Sequence, residues 1–144
     1  TDEWVPKATM NWSKTINWER ADRITFSYEF FYNGDGYSEN LFKNQTKMDY
    51  LIDNNLYEMN YMAKTYQAFF VAISEFPTHS TTFNINGIQN LVDYSMIVYS
   101  GLTYYVTEGF DISGNIAMYF GQDNSEYLLY GNALQFQLLS RIYF

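Results

Sequence analysis

Phe83-Asn-Ile-Asn86-Gly-Ile88-Gln89-Asn90 is the middle of three similar phrases, and its reading decides the fold assigned to the whole chain. The first is Tyr37-Ser-Glu-Asn40-Leu-Phe42-Lys43-Asn44, and the third is Leu129-Tyr-Gly-Asn132-Ala-Leu134-Gln135-Phe136. Asn40, Asn86 and Asn132 stand a constant 46 positions apart. Each has a large apolar residue three positions before it and another two after it. Apolar residues gather again at 50–52, 96–98 and 142–144. A period of this size marks a repeated supersecondary unit. A short side-chain oxygen followed three residues later by Gln resembles a capping box, in which the side chain accepts from first-turn amides. Ile88, Leu91, Val92, Met96, Tyr99 and Leu102 then share one helical face. The phrase therefore predicts three helices started by Asn40, Asn86 and Asn132, within repeats at about 37–62, 83–105 and 129–144.

Outside the repeats, Ile24, Phe26, Tyr28 and Phe30 alternate with Thr25, Ser27 and Glu29, which predicts a strand. Asn33-Gly-Asp-Gly36 predicts a turn after it, since glycine takes positive φ at little cost. Leu41, Met48, Ile52, Met59 and Met62 suit a helical face, and 63–76 reads as its continuation or as a buried strand. Pro77 ends that segment. Residues 104–112 and 115–120 flank Ser113-Gly114 and predict a small hairpin. Residues 1–24 hold Trp4, Trp12 and Trp18 among polar neighbours and read as an N-terminal arm on a single domain of 25–144. The fold class expected is mainly α with a small β portion (α+β); the alternative is an all-β sandwich.

The 144 residues suffice for one domain with a core. Aromatic residues make up 21%, with 15 Tyr, so part of this aromatic surface must keep an edge in water. Oligomer interfaces and sugar-binding faces are surfaces of that kind. A net charge of −8 with 8 basic residues leaves few cations to neutralise phosphates, which argues against nucleic acid as a partner. Uninterrupted apolar runs are only a few residues long, far short of a helical membrane span, so no membrane partner is expected. There is no cysteine, which excludes disulfides, thiolate catalysis and Cys-based zinc sites. The chain lacks an initiating Met and a secretory signal and ends in Arg141-Ile-Tyr-Phe144, and it is expected to be processed or part of something longer.

Reaction chemistry is sparse. His79 is the only histidine and follows Pro77 in a Ser/Thr-rich loop, without the strand-to-helix elbow of a nucleophile. Asn33, Asp35 and Glu39 have the alternate spacing of a calcium loop, but Ser38 and Asn44 replace its Gly and Glu. Asn11-Trp-Ser13 and Asn44-Gln-Thr46 match the glycosylation acceptor pattern. No acid pair is singled out for glycoside hydrolysis. The expectation is a non-enzyme with no catalytic residue, cofactor or metal; a glycoside-processing enzyme is the more distant alternative.

Asn86-Gly-Ile88-Gln89-Asn90, with Tyr94 beyond it, resembles the Asn-Arg-Ile-Glu-x-Asn phrase of small structural proteins from tailed phages of Gram-positive hosts. Lys14-Thr15-Ile-Asn-Trp18 and Asp22-Arg-Ile-Thr25 look like the opening of those chains. The Arg of the phrase is replaced by Leu41, Gly87 and Ala133, and its acid by Lys43, Gln89 and Gln135. The resemblance implies a structural or assembly component of a virion or tail, located in the phage particle. Its partners would be other virion proteins or copies of itself, with a host-surface glycan as a further candidate. Trp4, Trp12 and Trp18 would be its interface anchors. A carbohydrate-binding or adhesion module using exposed Tyr and Trp is the alternative function.

Overall fold

Seven strands, each paired antiparallel with the next, form one sheet in the order β1 to β7. They are β1 Lys7–Asn17, β2 Arg23–Asn33, β3 Thr65–Ser74, β4 Thr81–Asn90, β5 Met96–Thr107, β6 Phe110–Phe120 and β7 Leu134–Ile142. The single α-helix among the described residues, α1, is Gln45–Asp53. This is a computed structural model, and it describes residues 4–17, 23–129 and 134–143.

The sheet corrects the mainly α expectation: strand takes 58% of the described residues and helix 11%. The all-β alternative fits this content, although the strands pair in one sheet. Asn86 starts no helix; it lies inside β4, opposite Phe70 on β3 and Tyr99 on β5. The helix expected from Leu134, Leu138 and Ile142 is β7, and Asn132 lies outside the described residues. Ser113-Gly114 is not a turn but the middle of β6, and Glu108-Gly109 makes the reversal between β5 and β6. Backbone pairing over nine or more residues, with both neighbours in β4 and β6 and with β6 in β7, outweighs a helical periodicity that comes from a few apolar positions. In the first repeat the helical reading holds locally. Asn40 Oδ1 accepts from Phe42 N–H at 2.9 Å and starts a 3-10 turn, Leu41–Lys43. Asn44 Oδ1 accepts from Lys47 N–H at 3.1 Å and caps α1.

The strand expected at Ile24–Tyr32 and the turn at Asn33–Gly36 are both present. Gly36 is required by space as well, because a Cβ there would lie 2.5 Å from the Ala63 carbonyl.

The two rims of the sheet differ. At one, β2 and β3 are joined through 34–64, β4 and β5 through 91–95, and β6 leads into the segment 121–129. At the other, the connections are 75–80 and 108–109, and Asn17 stands opposite Arg23. The small buried core belongs to the long-connection rim: Leu41, Phe42 and Met48, packed with Tyr37, Leu51, Tyr57 and Leu129. At the opposite rim Asp111, almost fully buried, accepts from Arg141 Nε at 3.0 Å and from the Tyr143 hydroxyl at 3.0 Å, which ties β7 to β6.

Gly87 supports the middle of the sheet by absence. A Cβ there would lie 2.2 Å from the Phe69 ring, so the ring of β3 lies across the bare backbone of β4. Gly87→Ala should destabilise the fold by about 1–3 kcal/mol through overpacking. In a Phe69→Leu background the same change should cost clearly less. Urea titration of the four proteins checks this, and equal costs in both backgrounds would remove the contact from the account.

Candidate functional site

Directly opposed residues of an antiparallel pair place their side chains on the same face, so the register sorts every strand residue onto one of two faces. One face carries Ile24, Phe26, Tyr28 and Phe30 of β2, Phe69, Val71 and Ile73 of β3, and Phe83 and Ile85 of β4. It continues through Val98 and Leu102, Ile112, Ile116 and Met118, to Leu134, Phe136, Leu138 and Ile142. Lys14, close to the end of β1, is the only Asp, Glu, Lys or Arg on this face among the described residues. The other face carries Thr9, Asn11, Ser13 and Thr15 of β1, then Asn84, Asn86, Thr103, Ser113, Asn115, Gln135 and Gln137. Hydrogen bonds run across it, from Ser27 to Ser13 at 2.9 Å and between Thr103 and Ser113 at 3.0 Å. No second layer among the described residues covers the apolar face; Phe136 stays 70% exposed and Leu138 69%.

The long connections fold over the polar face at their own rim and form a cap. Glu126, in the 3-10 turn Glu126–Leu128, is fully buried there. Its Oε1 accepts from the Tyr57 hydroxyl at 3.1 Å, the Tyr66 hydroxyl at 3.1 Å and Asn60 N–H at 2.9 Å. Its Oε2 accepts from Asn90 Nδ2 at 2.8 Å, and its own N–H donates to Asp93 Oδ2 at 2.7 Å. Asn60 sits at φ 65, a left-handed conformation that Asn tolerates, and its Oδ1 accepts from the Tyr127 hydroxyl. Asn90 Nδ2 also donates to the Tyr37 hydroxyl at 2.7 Å. One carboxylate thus joins 57–66, β4 and the connection after β6. Burial pushes its pKa up, and the amide and hydroxyl donors oppose that. Burial beside the Glu126 charge pushes the Tyr37, Tyr57, Tyr66 and Tyr127 hydroxyls up, so all four stay protonated.

A cleft of about 340 Å³ lies between the cap and the polar face. Ala68, Phe70 and Ile88 line it from the sheet, with Phe31, Tyr61 and Asn60 beside them and Glu29 contributing a carboxylate. Phe31 stacks on Tyr61 with ring centres 5.7 Å apart.

The residues singled out in the sequence are scattered over this architecture. Trp12 lies in β1 on the apolar face, opposite Tyr28, and is 57% exposed. Trp4 precedes β1 and is also exposed, while Trp18 lies outside the described residues. Asn33, which shares the alternate spacing of a calcium loop with Asp35 and Glu39, is buried; its Nδ2 donates to the Tyr61 carbonyl and its Oδ1 accepts from Asp35 N–H. His79 lies in the β3–β4 reversal with Nδ1 2.9 Å from Glu75 Oε2. Sequence reasoning missed the joint role of Glu126, Tyr66 and Asn90, which lie far apart in the chain and meet only through the fold.

Removing the hub should unseat the cap. Glu126→Gln keeps one oxygen for the three Oε1 donors but sets an amide against Asn90 Nδ2, and should cost about 1–2 kcal/mol. Glu126→Ala strands all of these donors and should cost more, about 3 kcal/mol or above. The raised carboxyl holds its proton more tightly folded than unfolded, so its contribution is full below the unfolded value and falls as pH rises through the folded one. Wild type should therefore gain stability on acidification from neutral pH towards about 4.5, and Glu126→Gln should lose that slope; thermal midpoints at a series of pH values check both.

Comparison with protein-family models, curated proteins and solved structures returned no match, so the two-faced sheet and its capped polar side are what a functional reading has to rest on.

Proposed function

We propose that this sheet is a wall of a membrane-spanning β-barrel, with its apolar face against lipid, its polar face towards a water-filled interior, and the Glu126 cap folded inward at one rim. The observation that carries this reading is the alternation in register: all seven strands put most of their large apolar side chains on the same face, with Phe31, Phe70, Ile88, Ile97 and Leu139 on the other. A water-soluble sheet of this kind would leave that face bare, and bare apolar surface of such extent marks a lipid or partner contact. Strands of 9 to 12 residues match the length that crosses a bilayer. The two longest connections, 34–64 and the one after β6, share one rim, while 75–80 and 108–109 at the other are six and two residues long, an asymmetry found in such barrels, as is apolar-out, polar-in alternation.

The shortness of the apolar runs, which argued against a membrane, bears on helical spans alone. No helix among the described residues is long and apolar enough to cross. Strands cross by alternation, where only every second residue is apolar. β1 and β7 run in the same direction, so an all-antiparallel closure takes an odd number of further strands between them. The structural, non-enzymatic role expected from the sequence is kept, with lipid in place of a virion neighbour. The phage resemblance is carried by its short residue phrases alone, and the geometry adds nothing to it.

A second reading, the carbohydrate-binding or adhesion module, agrees better with a strand-rich fold than the virion role does. One observation favours it: a cleft of about 420 Å³ on the polar face, lined among others by Tyr99, Asn115, Gln135 and Gln137, without a charged side chain. Tyrosine fluorescence quenched by oligosaccharides, and no longer quenched in Tyr99→Ala, would support it.

The membrane reading is tested by folding the chain in the presence of lipid vesicles and floating them on a density gradient. Wild type should float and resist extraction by alkaline carbonate. Ile116→Arg, at mid-strand on the apolar face, should reduce the floated fraction sharply, since Arg at the bilayer midplane costs about 2–4 kcal/mol. The neighbouring Asn115→Arg, on the polar face, should float like wild type. A folded wild type that stays in solution would overturn the proposal.

A further inference from the structure

The cleft beneath the cap has a chemistry that a barrel wall does not require. Its lining is mostly apolar and aromatic, and its volume falls in the range of small-molecule sites. Glu29 brings a carboxylate into it and is half-buried. Its register neighbours are Asn11 on β1 and Ala68 on β3, neither of them a cation. Among the described residues the ion pairs are His79 with Glu75 and Arg141 with Asp111, and neither includes Glu29. Of the two bases on β1, Lys14 lies on the apolar face, and Lys7, on the face of Glu29, is otherwise engaged. Its Nζ donates to the Tyr61 hydroxyl at 2.7 Å and lies 4.7 Å over the Tyr61 ring. A half-buried carboxylate among rings is a costly arrangement unless something positive faces it. Aromatic faces attract the same kind of charge, through the quadrupole of the ring.

We infer that this cleft binds a small organic cation, an ammonium group carried on an apolar or aromatic body, with Glu29 as its counter-charge and Phe31, Phe70 and Ile88 against the body. Asn60 adds a polar group at the cap side of the cleft. The inference stands on the cleft alone and holds whether the apolar face of the sheet meets lipid or a protein partner.

Two probes of the same shape separate charge from fit: phenethylammonium and its neutral analogue 2-phenylethanol. Each is titrated calorimetrically into the folded chain at neutral pH. The cation should bind about tenfold more tightly than the alcohol, the ratio expected for one charge-assisted contact. Glu29→Gln, nearly isosteric, should abolish that ratio while leaving the alcohol unchanged, and Phe70→Ala should weaken both. Added salt should weaken the cation alone, an independent readout on wild type that no variant's folding affects. Equal affinities in wild type, an undiminished preference in Glu29→Gln, or binding of neither probe would overturn the inference. Flotation in vesicles would be untouched by any of these results, so the two proposals fail separately.

Discussion

A single register holds the sheet together and gives it two chemistries. Ile24 stands opposite Ile73, Ile73 opposite Phe83, and Phe83 opposite Leu102, so one apolar row crosses four strands without a break. One residue away, Thr25, Ala72, Asn84 and Gly101 form a row of small or polar residues on the opposite face. A slip of one residue in any strand would carry its whole apolar set to the polar side. The backbone pairing and the side-chain pattern therefore specify each other. Whatever covers the apolar face is selected by that agreement, because a single layer cannot bury it alone.

One carboxylate gathers ties from the cap to two strands of the sheet. Glu126 reaches β3 through Tyr66 and β4 through Asn90, the last residue of β4 before the 91–95 connection. The neighbouring apolar cluster of Leu41, Phe42 and Met48 is small, and the polar hub fixes where the connections lie against the sheet. Such a network is favourable only while all its members are paired, and no buried side-chain nitrogen or oxygen among the described residues lacks a partner. The cleft under the cap follows from this arrangement: Asn60 and Tyr61 lie above a floor that the strands supply.

How much of this the sequence discloses depends on where alternation is clean. Ile24 to Phe30 alternates without interruption and was read as a strand. In β4 and β5 the apolar face is interrupted by Gly87 and Ser100, and the surviving residues, Ile88, Val92, Met96, Tyr99 and Leu102, happen to fall on a helical face. They in fact belong to both faces of two strands and to the reversal between them. Ser113-Gly114 carries turn residues, yet Ile112 and Ile116 continue the alternation through it. The cap at Asn40 is legible in kind, since capping is a local interaction, whereas Asn44, which caps α1, carries no such expectation in the sequence. Glu126 was not, because its partners Tyr57, Tyr66 and Asn90 come together only through the sheet. Glu29 appeared in the sequence only as the polar member of an alternating strand.

The central claim is that the two faces of these strands meet different media, and β6 offers the most direct test. The chain has no cysteine, so single cysteines introduced along 110–120 can each carry a nitroxide label. Collision with oxygen, which concentrates in lipid, and with a water-soluble nickel chelate should then alternate with a period of two in vesicles. Oxygen should dominate at Ile112, Ile116 and Phe120, and the chelate at Ser113 and Asn115. A profile without that period, or chelate access on both faces, would contradict the account.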